Sequence, residues 1–164
     1  MKPKTYLSVA TALWFTLSSP AAILYVNLNN PTPGFPYTNW STAAISIQAA
    51  VDAASANDLI LVTNGVYQAG ARAVYGMTNR VAVTQPVTVR SVNGPSVTII
   101  KGYQVPGTTN GTAAVRCAYL TNGAVLAGFT LTNGATHTSG DTYKQQSGGG
   151  VWCEPLNATV SNCV

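Results

Sequence analysis

Most of the chain reads as short apolar or alternating runs separated by turn residues. Ile23 to Leu28 is a short strand candidate. Residues 29–39 hold three prolines and a glycine and read as a loop. One segment has helical spacing: Ile47, Ala50, Val51 and Ala54 fall at i, i+3, i+4 and i+7. Ser41 or Thr42 is placed to cap this helix. Gln48, Asp52 and Ser55 fall on its other, water-facing side. Asn57 stands where a left-handed C-terminal residue is expected, because Asn tolerates that conformation best after Gly.

From Leu59 the pattern becomes that of strands. Leu59-Ile-Leu-Val62 is apolar throughout, and Val66-Tyr67 follows before a loop through Asn79. Arg80 to Thr84 and Val87 to Ser91 alternate around Pro86, and Val97 to Ile100 is again apolar. Further runs are Ala113 to Leu120, Ala124 to Leu126 and Phe129 to Thr132. A polar loop over 135–147 leads to Gly148–Cys153, and Ala158 to Ser161 is the last strand. Asn-Gly recurs at 64–65, 93–94, 110–111, 122–123 and 133–134. Asn-Gly between strands is a hairpin signal, so an antiparallel meander or sandwich competes with any parallel arrangement. Two features favour a parallel solenoid. Several runs are apolar on both parities, as in a strand buried within a solenoid's wall. Segments also resemble one another: Val115-Arg-Cys117 aligns with Val151-Trp-Cys153, and Leu131-Thr-Asn133 with Val160-Ser-Asn162, at offsets of 36 and 29 residues. On that alignment Cys117 and Cys153 stack facing inward, about 4.8 Å apart, as unbonded thiols with Cys163 apart from both.

Composition narrows the classes. Charged residues make up 7% of the 164, too few for a disordered, charge-swollen segment. Their place is taken by 21 Thr, 13 Asn, 15 Gly and 18 Val, which favour strands and tight turns over helical bundles. The net charge of +4 includes Lys2 and Lys4, and the remaining six basic residues form no cluster, which argues against nucleic acid as a partner. The three cysteines leave at least one unpaired, and a single His with no close Cys pair makes a metal site unexpected. No cofactor is implied.

The start of the chain has an export pattern. Lys2 and Lys4 precede an apolar stretch from Tyr6 to Leu17, 12 residues long and too short to span a bilayer comfortably. Ser19-Pro-Ala21 then offers small residues at the −3 and −1 positions of a cleavage site. The competing reading is a buried N-terminal helix. The expectation is a signal peptide over 1–21, a strand, loop and helix over 22–58, and coils over 59–164, secreted or at the cell surface, with no transmembrane segment in the mature chain. The chain stops beside a strand with no polar cap. The chain is therefore expected to be the N-terminal part of a longer protein, or a truncated reading frame, and the isolated chain to self-associate through its uncovered end.

Ile47-Gln-Ala-Ala-Val-Asp-Ala-Ala54, Asn57-Asp-Leu-Ile-Leu-Val62 and Gly65-Val-Tyr67 together resemble the N-terminal entry of secreted proteins of the pectin-lyase-like superfamily. The later runs Gly128-Phe-Thr-Leu-Thr-Asn-Gly134 and Gly148-Gly-Gly-Val151 are similar to interior coils of that fold, although Asn57 replaces the usual Gly. The resemblance implies an all-β chain: a right-handed parallel β-helix whose first coil is covered by an N-terminal amphipathic capping helix. It implies less about activity, because the fold hosts lyases, hydrolases, adhesins and scaffolds.

A lyase of this kind needs a base, usually Lys or Arg, together with an arginine or a cation that neutralises the uronate carboxylate, calcium being held by clustered Asp and Glu, and a hydrolase needs two or three convergent carboxylates. Beyond the helix and its turn only Asp141 and Glu154 are available. Asp52 and Asp58 read as a solvated helix face and a turn acceptor. Arg90, Lys101 and Arg116 would form a ladder for a sugar acid or sulfate on one shared face, and carry no site as solvent-facing strand residues. Tyr103, Tyr119, Tyr143 and Trp152 are candidates for stacking on sugar rings, with packing as the favoured alternative; Trp40 reads as packing beside the helix. Asp141 and Tyr143 stand in a long polar loop, where solenoids carry function. The ligand-contact candidates are therefore Asp141, Tyr143, Arg116 and Glu154, and none is assigned as catalytic. Asn39, Asn110 and Asn157 begin glycosylation triplets of the kind that arise by chance in such a chain. The expected function is a non-catalytic extracellular module that acts as scaffold, adhesion or carbohydrate-contact element, with polysaccharide as a partner. The alternative is the N-terminal part of a polysaccharide lyase or glycoside hydrolase whose active residues lie downstream.

Overall fold

The computed structural model describes residues 20–121, 123–154 and 157–164. The expected leader lies outside them except for its last two residues. The strands in chain order are β1 (Ile23–Val26), β2 (Leu59–Val62), β3 (Gly65–Tyr67), β4 (Arg72–Val74), β5 (Met77–Val83) and β6 (Thr88–Ser91). They continue as β7 (Thr98–Lys101), β8 (Val115–Leu120), β9 (Val125–Ala127), β10 (Thr130–Thr132), β11 (Val151–Cys153) and β12 (Thr159–Ser161). Helix α1 spans Ile47–Ala53.

These strands build three sheets, ordered β1-β2-β6-β9-β12, β3-β7-β10 and β4-β5-β8-β11. Every pairing is parallel except β4 with β5. The chain visits the sheets in turn and repeats the circuit, giving a β-solenoid of about 4 turns. Leu59 pairs with Thr88, Thr88 with Val125 and Val125 with Thr159, steps of 29, 37 and 34 residues. The variable step reflects loops inserted at the corners while the strands stay in register.

The core lies between the sheets and is built from side chains stacked rung on rung. Leu24, Ile60, Val89 and Leu126 occupy successive rungs of the first sheet, with Val160 above them. The first four are buried and Val160 is exposed on the last strand. A second stack, Val26 on Val62, ends at Ser91, whose hydroxyl donates to Thr98 Oγ1 at 2.7 Å. Although Leu59-Ile-Leu-Val62 is apolar on both parities, only Ile60 and Val62 enter the core; Leu59 and Leu61 are half-buried on the outer face.

Helix α1 begins later than Ser41 or Thr42 would allow. Those two residues belong to a 3-10 turn, Trp40–Thr42, capped by Asn39. The helix is capped by Ser46, whose hydroxyl accepts from Ala49 N–H at 3.3 Å. Ile47, Ala50 and Val51 pack in one apolar cluster with Leu24, Val26, Ile60 and Val62. Gln48 does not face water: it is only 3% exposed and reaches the backbone of β5. A buried polar side chain needs partners, and an unpaired strand N–H supplies one. Asn57 does take the left-handed conformation, at φ 73°.

Two expectations about the repeats are corrected. Val151 pairs with Ala118 and Cys153 with Leu120, so the strand of Cys153 sits three residues further along β8 than the Cys117 alignment requires. Cys117 is buried, Cys153 is exposed, and all three cysteines are free. Similarly, Val160 stacks on Leu126 rather than on Leu131, which belongs to another sheet. Chance likeness between short Thr/Val/Asn strings produced both alignments. The Asn64-Gly65 and Asn93-Gly94 steps turn corners between parallel-paired strands, β2 to β3 and β6 to β7, instead of making hairpins. Asn93 Nδ2 donates to Asn64 Oδ1 at 2.7 Å, stacking one such corner on the next.

Candidate functional site

The one antiparallel pair in the described sheets positions the main cluster of aromatic and charged side chains. β4 and β5 are joined by Tyr75 and Gly76 at φ 51° and 80°. Positive φ at both central residues is the geometry of a tight hairpin turn compatible with strand twist. This turn lies inside the segment read from sequence as loop, because Tyr-Gly is not a usual turn pair. It lifts Tyr75 to the tip of the hairpin, 49% exposed.

Two neighbouring rungs complete the cluster. Tyr119 on β8 and Trp152 on β11 are register partners, and their rings stack at 5.5 Å with an interplanar angle of 27°. The Tyr75 ring meets Trp152 edge-on, at 6.4 Å and 87°. Glu154, just past β11, accepts from both phenols: from Tyr119 Oη at 2.5 Å and from Tyr75 Oη at 3.2 Å. Two cations complete the surround. Lys144 Nζ lies 4.4 Å from the Tyr75 ring centre, and Arg116 Cζ lies 5.5 Å from that of Trp152. Burial raises the Tyr119 hydroxyl above its ordinary pKa, and the hydrogen bond to Glu154 and that carboxylate's charge raise it further.

Arg116 is fully buried and is not a ligand-facing residue. Its guanidinium donates to Asn79 Oδ1 at 3.0 Å, Lys144 O at 3.0 Å and Ser147 O at 2.7 Å. It therefore ties the 135–147 loop to β5 and β8. Burial brings its pKa down to about 10, so it remains charged at neutral pH. The proposed basic ladder does not form. Arg90, Lys101 and Arg116 stand in three different sheets, and their side chains are exposed, half-buried and buried in turn. Corner loops of unequal length shift equivalent positions between sheets, which spacing alone does not reveal.

Asp141 shapes its own loop: its Oδ1 accepts from Tyr143 N–H at 2.9 Å and Lys144 N–H at 2.8 Å. Gln145 then bridges, accepting from Asp141 N–H at 2.9 Å and donating to Tyr75 O at 2.8 Å. Tyr143 is 77% exposed at the loop's outer edge. Of the four expected contact residues, Arg116 and Glu154 join the cluster. Asp141 braces the loop above it, and Tyr143 stands outside. Tyr75 and Lys144 had no sequence signal, whereas Tyr119 and Trp152 were read as possible sugar-stacking residues.

The chemistry available is acceptance, stacking and charge. Glu154 offers one carboxylate, with both oxygens already engaged by phenols. No group of three His, Cys, Asp or Glu close enough for a metal exists among the described residues. No helix among them is long and apolar enough to cross a membrane. A concavity of about 310 Å³ lies away from this cluster, lined by Phe35, Tyr37, Ala49, Asp52 and Ala53. Its single carboxylate, Asp52, is paired with Arg72 at 3.4 Å, which leaves the groove little polar chemistry of its own. Set against models of protein families, curated proteins and solved structures, the chain matches none of them.

Proposed function

We propose that this chain is a non-catalytic, extracellular β-solenoid module that contacts carbohydrate through the Tyr75, Trp152 and Glu154 cluster. The observation that carries the reading is the partly exposed aromatic pair, Tyr75 against Trp152, with the Glu154 carboxylate beside it. Aromatic faces stack on the apolar faces of sugar rings, and a carboxylate accepts from sugar hydroxyls. Lys144 over the Tyr75 ring adds a cation that suits an acidic sugar. In this reading the solenoid is of the right-handed, pectin-lyase-like kind, which agrees with the strong preference of parallel crossovers for that hand. Helix α1 acts as its N-terminal cap by covering the apolar end of the first rungs, and the export pattern over 1–21 accounts for the extracellular setting.

The test is calorimetric titration of the purified chain with neutral and uronate oligosaccharides, beside Glu154→Gln. Saturable binding that weakens in the variant is the expected result. Absence of binding to every class, or binding indifferent to Glu154, rejects the reading. Release of unsaturated product from polyuronates would favour a lyase instead.

A further inference from the structure

We propose that hydrolysis of the Ala21–Ala22 bond makes Ala22 the first residue of the working protein, and that its new α-ammonium clasps the Asp58 carboxylate to close the first rung of the solenoid. The inference rests on the export proposed above and adds a role for the terminus that export creates.

The geometry is already in place. Ala22 N–H donates to Asp58 Oδ1 at 2.7 Å across 36 residues of sequence. Asp58 Oδ2 accepts from Ser55 N–H at 2.7 Å. Leu59 N–H donates to Ala22 O at 2.9 Å, so the main chain of Ala22 is held on both sides. Asp58 is only 6% exposed, and both donors to it are neutral amides. A carboxylate so far from water calls for a cation. Just outside this clasp, Pro20 and Ala21 are exposed. They end the small-residue pattern Ser19-Pro-Ala21 that places the cut.

The step balances without any further reactant. Water adds across the peptide bond, its oxygen going to the Ala21 carbonyl carbon as the C–N bond breaks. The acid formed on Ala21 gives its proton to the Ala22 amine. The products are a carboxylate that leaves with the leader and an ammonium on the nitrogen already 2.7 Å from Asp58. The present bond is charged on its acceptor side only, whereas the bond from the ammonium is charged on both sides and adds an ion pair to the hydrogen bond.

No other charge competes for the new terminus among the elements packed there. In the sheet of β1, the strands β2 and β6 carry one charged residue, Arg90, opposite Leu61. Leu61 pairs in turn with Tyr25, three positions from Ala22. On α1, Asp52 is held by Arg72.

The experiment expresses the full chain with export and reads its N-terminus by mass spectrometry. The α-amino group is then labelled by ¹³C reductive methylation and titrated by NMR in the wild type and Asp58→Asn. The expected results are a chain beginning at Ala22 and an α-amino pKa about one unit higher in the wild type, a ten-fold change in proton affinity. A raised amine pKa gives stability that is complete below about pH 8, the ordinary value for a terminus, and is lost as pH rises through the folded value. Between about pH 8 and 9 the wild type should therefore weaken more steeply than Asp58→Asn. A first residue other than Ala22 overturns the cut. Ala22 with the same α-amino pKa in both proteins overturns the clasp. If Asp58→Asn does not fold, the wild type alone decides, because the clasp requires titration above about 8.0. None of these outcomes depends on whether the chain binds sugar.

Discussion

Gln48 and Ala82 stand 34 residues apart and are joined by a reciprocal pair of hydrogen bonds: Ala82 N–H donates to Gln48 Oε1 at 2.7 Å, and Gln48 Nε2 donates to Ala82 O at 3.4 Å. The amide of a helix side chain thus takes the place that a neighbouring strand would fill on β5. Both residues are buried, so truncation strands two backbone groups away from water. Gln48→Ala should cost about 1–3 kcal/mol, the usual penalty for leaving buried polar groups unpaired. Ser55→Ala, at an exposed position of the following turn, should stay within about 0.5 kcal/mol. Urea unfolding of both variants measures the difference, and equal midpoints would remove Gln48 from this role.

Val51 tests the apolar side of the same helix. It is buried in the cluster that includes Leu24, Val26, Ile60 and Val62. Val51→Asp would place a carboxylate there without a partner, costing several kcal/mol and removing soluble, folded protein. Soluble Val51→Asp with the wild-type circular dichroism spectrum would show that α1 is dispensable to the first rungs.

The contrast between these two residues shows what the sequence could reveal. The spacing of Ile47, Ala50 and Val51 marked an apolar stripe correctly, because burial of such a stripe is what the helical period reports. Gln48 was misread because polarity alone does not distinguish a side chain facing water from one facing an unpaired strand edge. Although β4 and the start of β5 fall in the segment read as loop, most strands were legible for a related reason: short apolar runs bounded by Asn, Gly and Pro need little tertiary information. Their partners were not. Cys117 and Cys153 shared flanking residue types, yet register is set by corner loops whose lengths vary from rung to rung. The aromatic cluster was half visible for the same cause. Tyr119 and Trp152 lie on strands, whereas Tyr75 depends on a hairpin whose Tyr-Gly turn carries no strong signal.

Arg116 should prove structural. It holds two loop carbonyls and Asn79 with a planar fork that a lysine cannot reproduce. Arg116→Lys should cost about 1.5–3 kcal/mol, the range for hydrogen bonds to charged groups, and should expose the 135–147 loop to limited proteolysis. Tyr143→Ala, at the loop's exposed edge, should alter neither. Unchanged cleavage of Arg116→Lys would mean that the loop is held by other contacts.

Alkaline pH should weaken the fold through its buried phenols and thiol. Burial raises Tyr119, Tyr67 and Cys117 above their ordinary values, and Glu154 adds to the shift at Tyr119. The folded chain therefore holds protons that the unfolded chain releases. The stability this confers is complete below the unfolded values, about 8.5 for Cys and 10 for Tyr, and is lost as pH rises past them. Urea midpoints should fall from about pH 9 upward, and Tyr119→Phe should make that fall shallower above about pH 10. The same slope in both proteins would show that Tyr119 ionises as freely when folded.

Tyr75 offers a way to separate contact from fold. Its left-handed backbone, φ 51°, costs a non-glycine residue about 1–2 kcal/mol, and Asn bears that conformation more easily. Tyr75→Asn would convert the turn to Asn-Gly, the favoured pair for this hairpin. Against that gain stands the edge contact with Trp152, worth about 0.5–1.5 kcal/mol, together with the Lys144 and Glu154 contacts. The two sides nearly cancel, so thermal unfolding of Tyr75→Asn should stay within about 1 kcal/mol of the wild type. Gly76→Ala makes the opposite case. Its φ of 80° is unfavourable for alanine, and a β-carbon there would lie 2.7 Å from Gln145 Nε2. That variant should lose stability and loosen the loop together. If the cluster contacts sugar, Tyr75→Asn should keep the fold and lose oligosaccharide binding at least ten-fold. Binding that survives in a folded Tyr75→Asn would move the contact surface away from the hairpin tip.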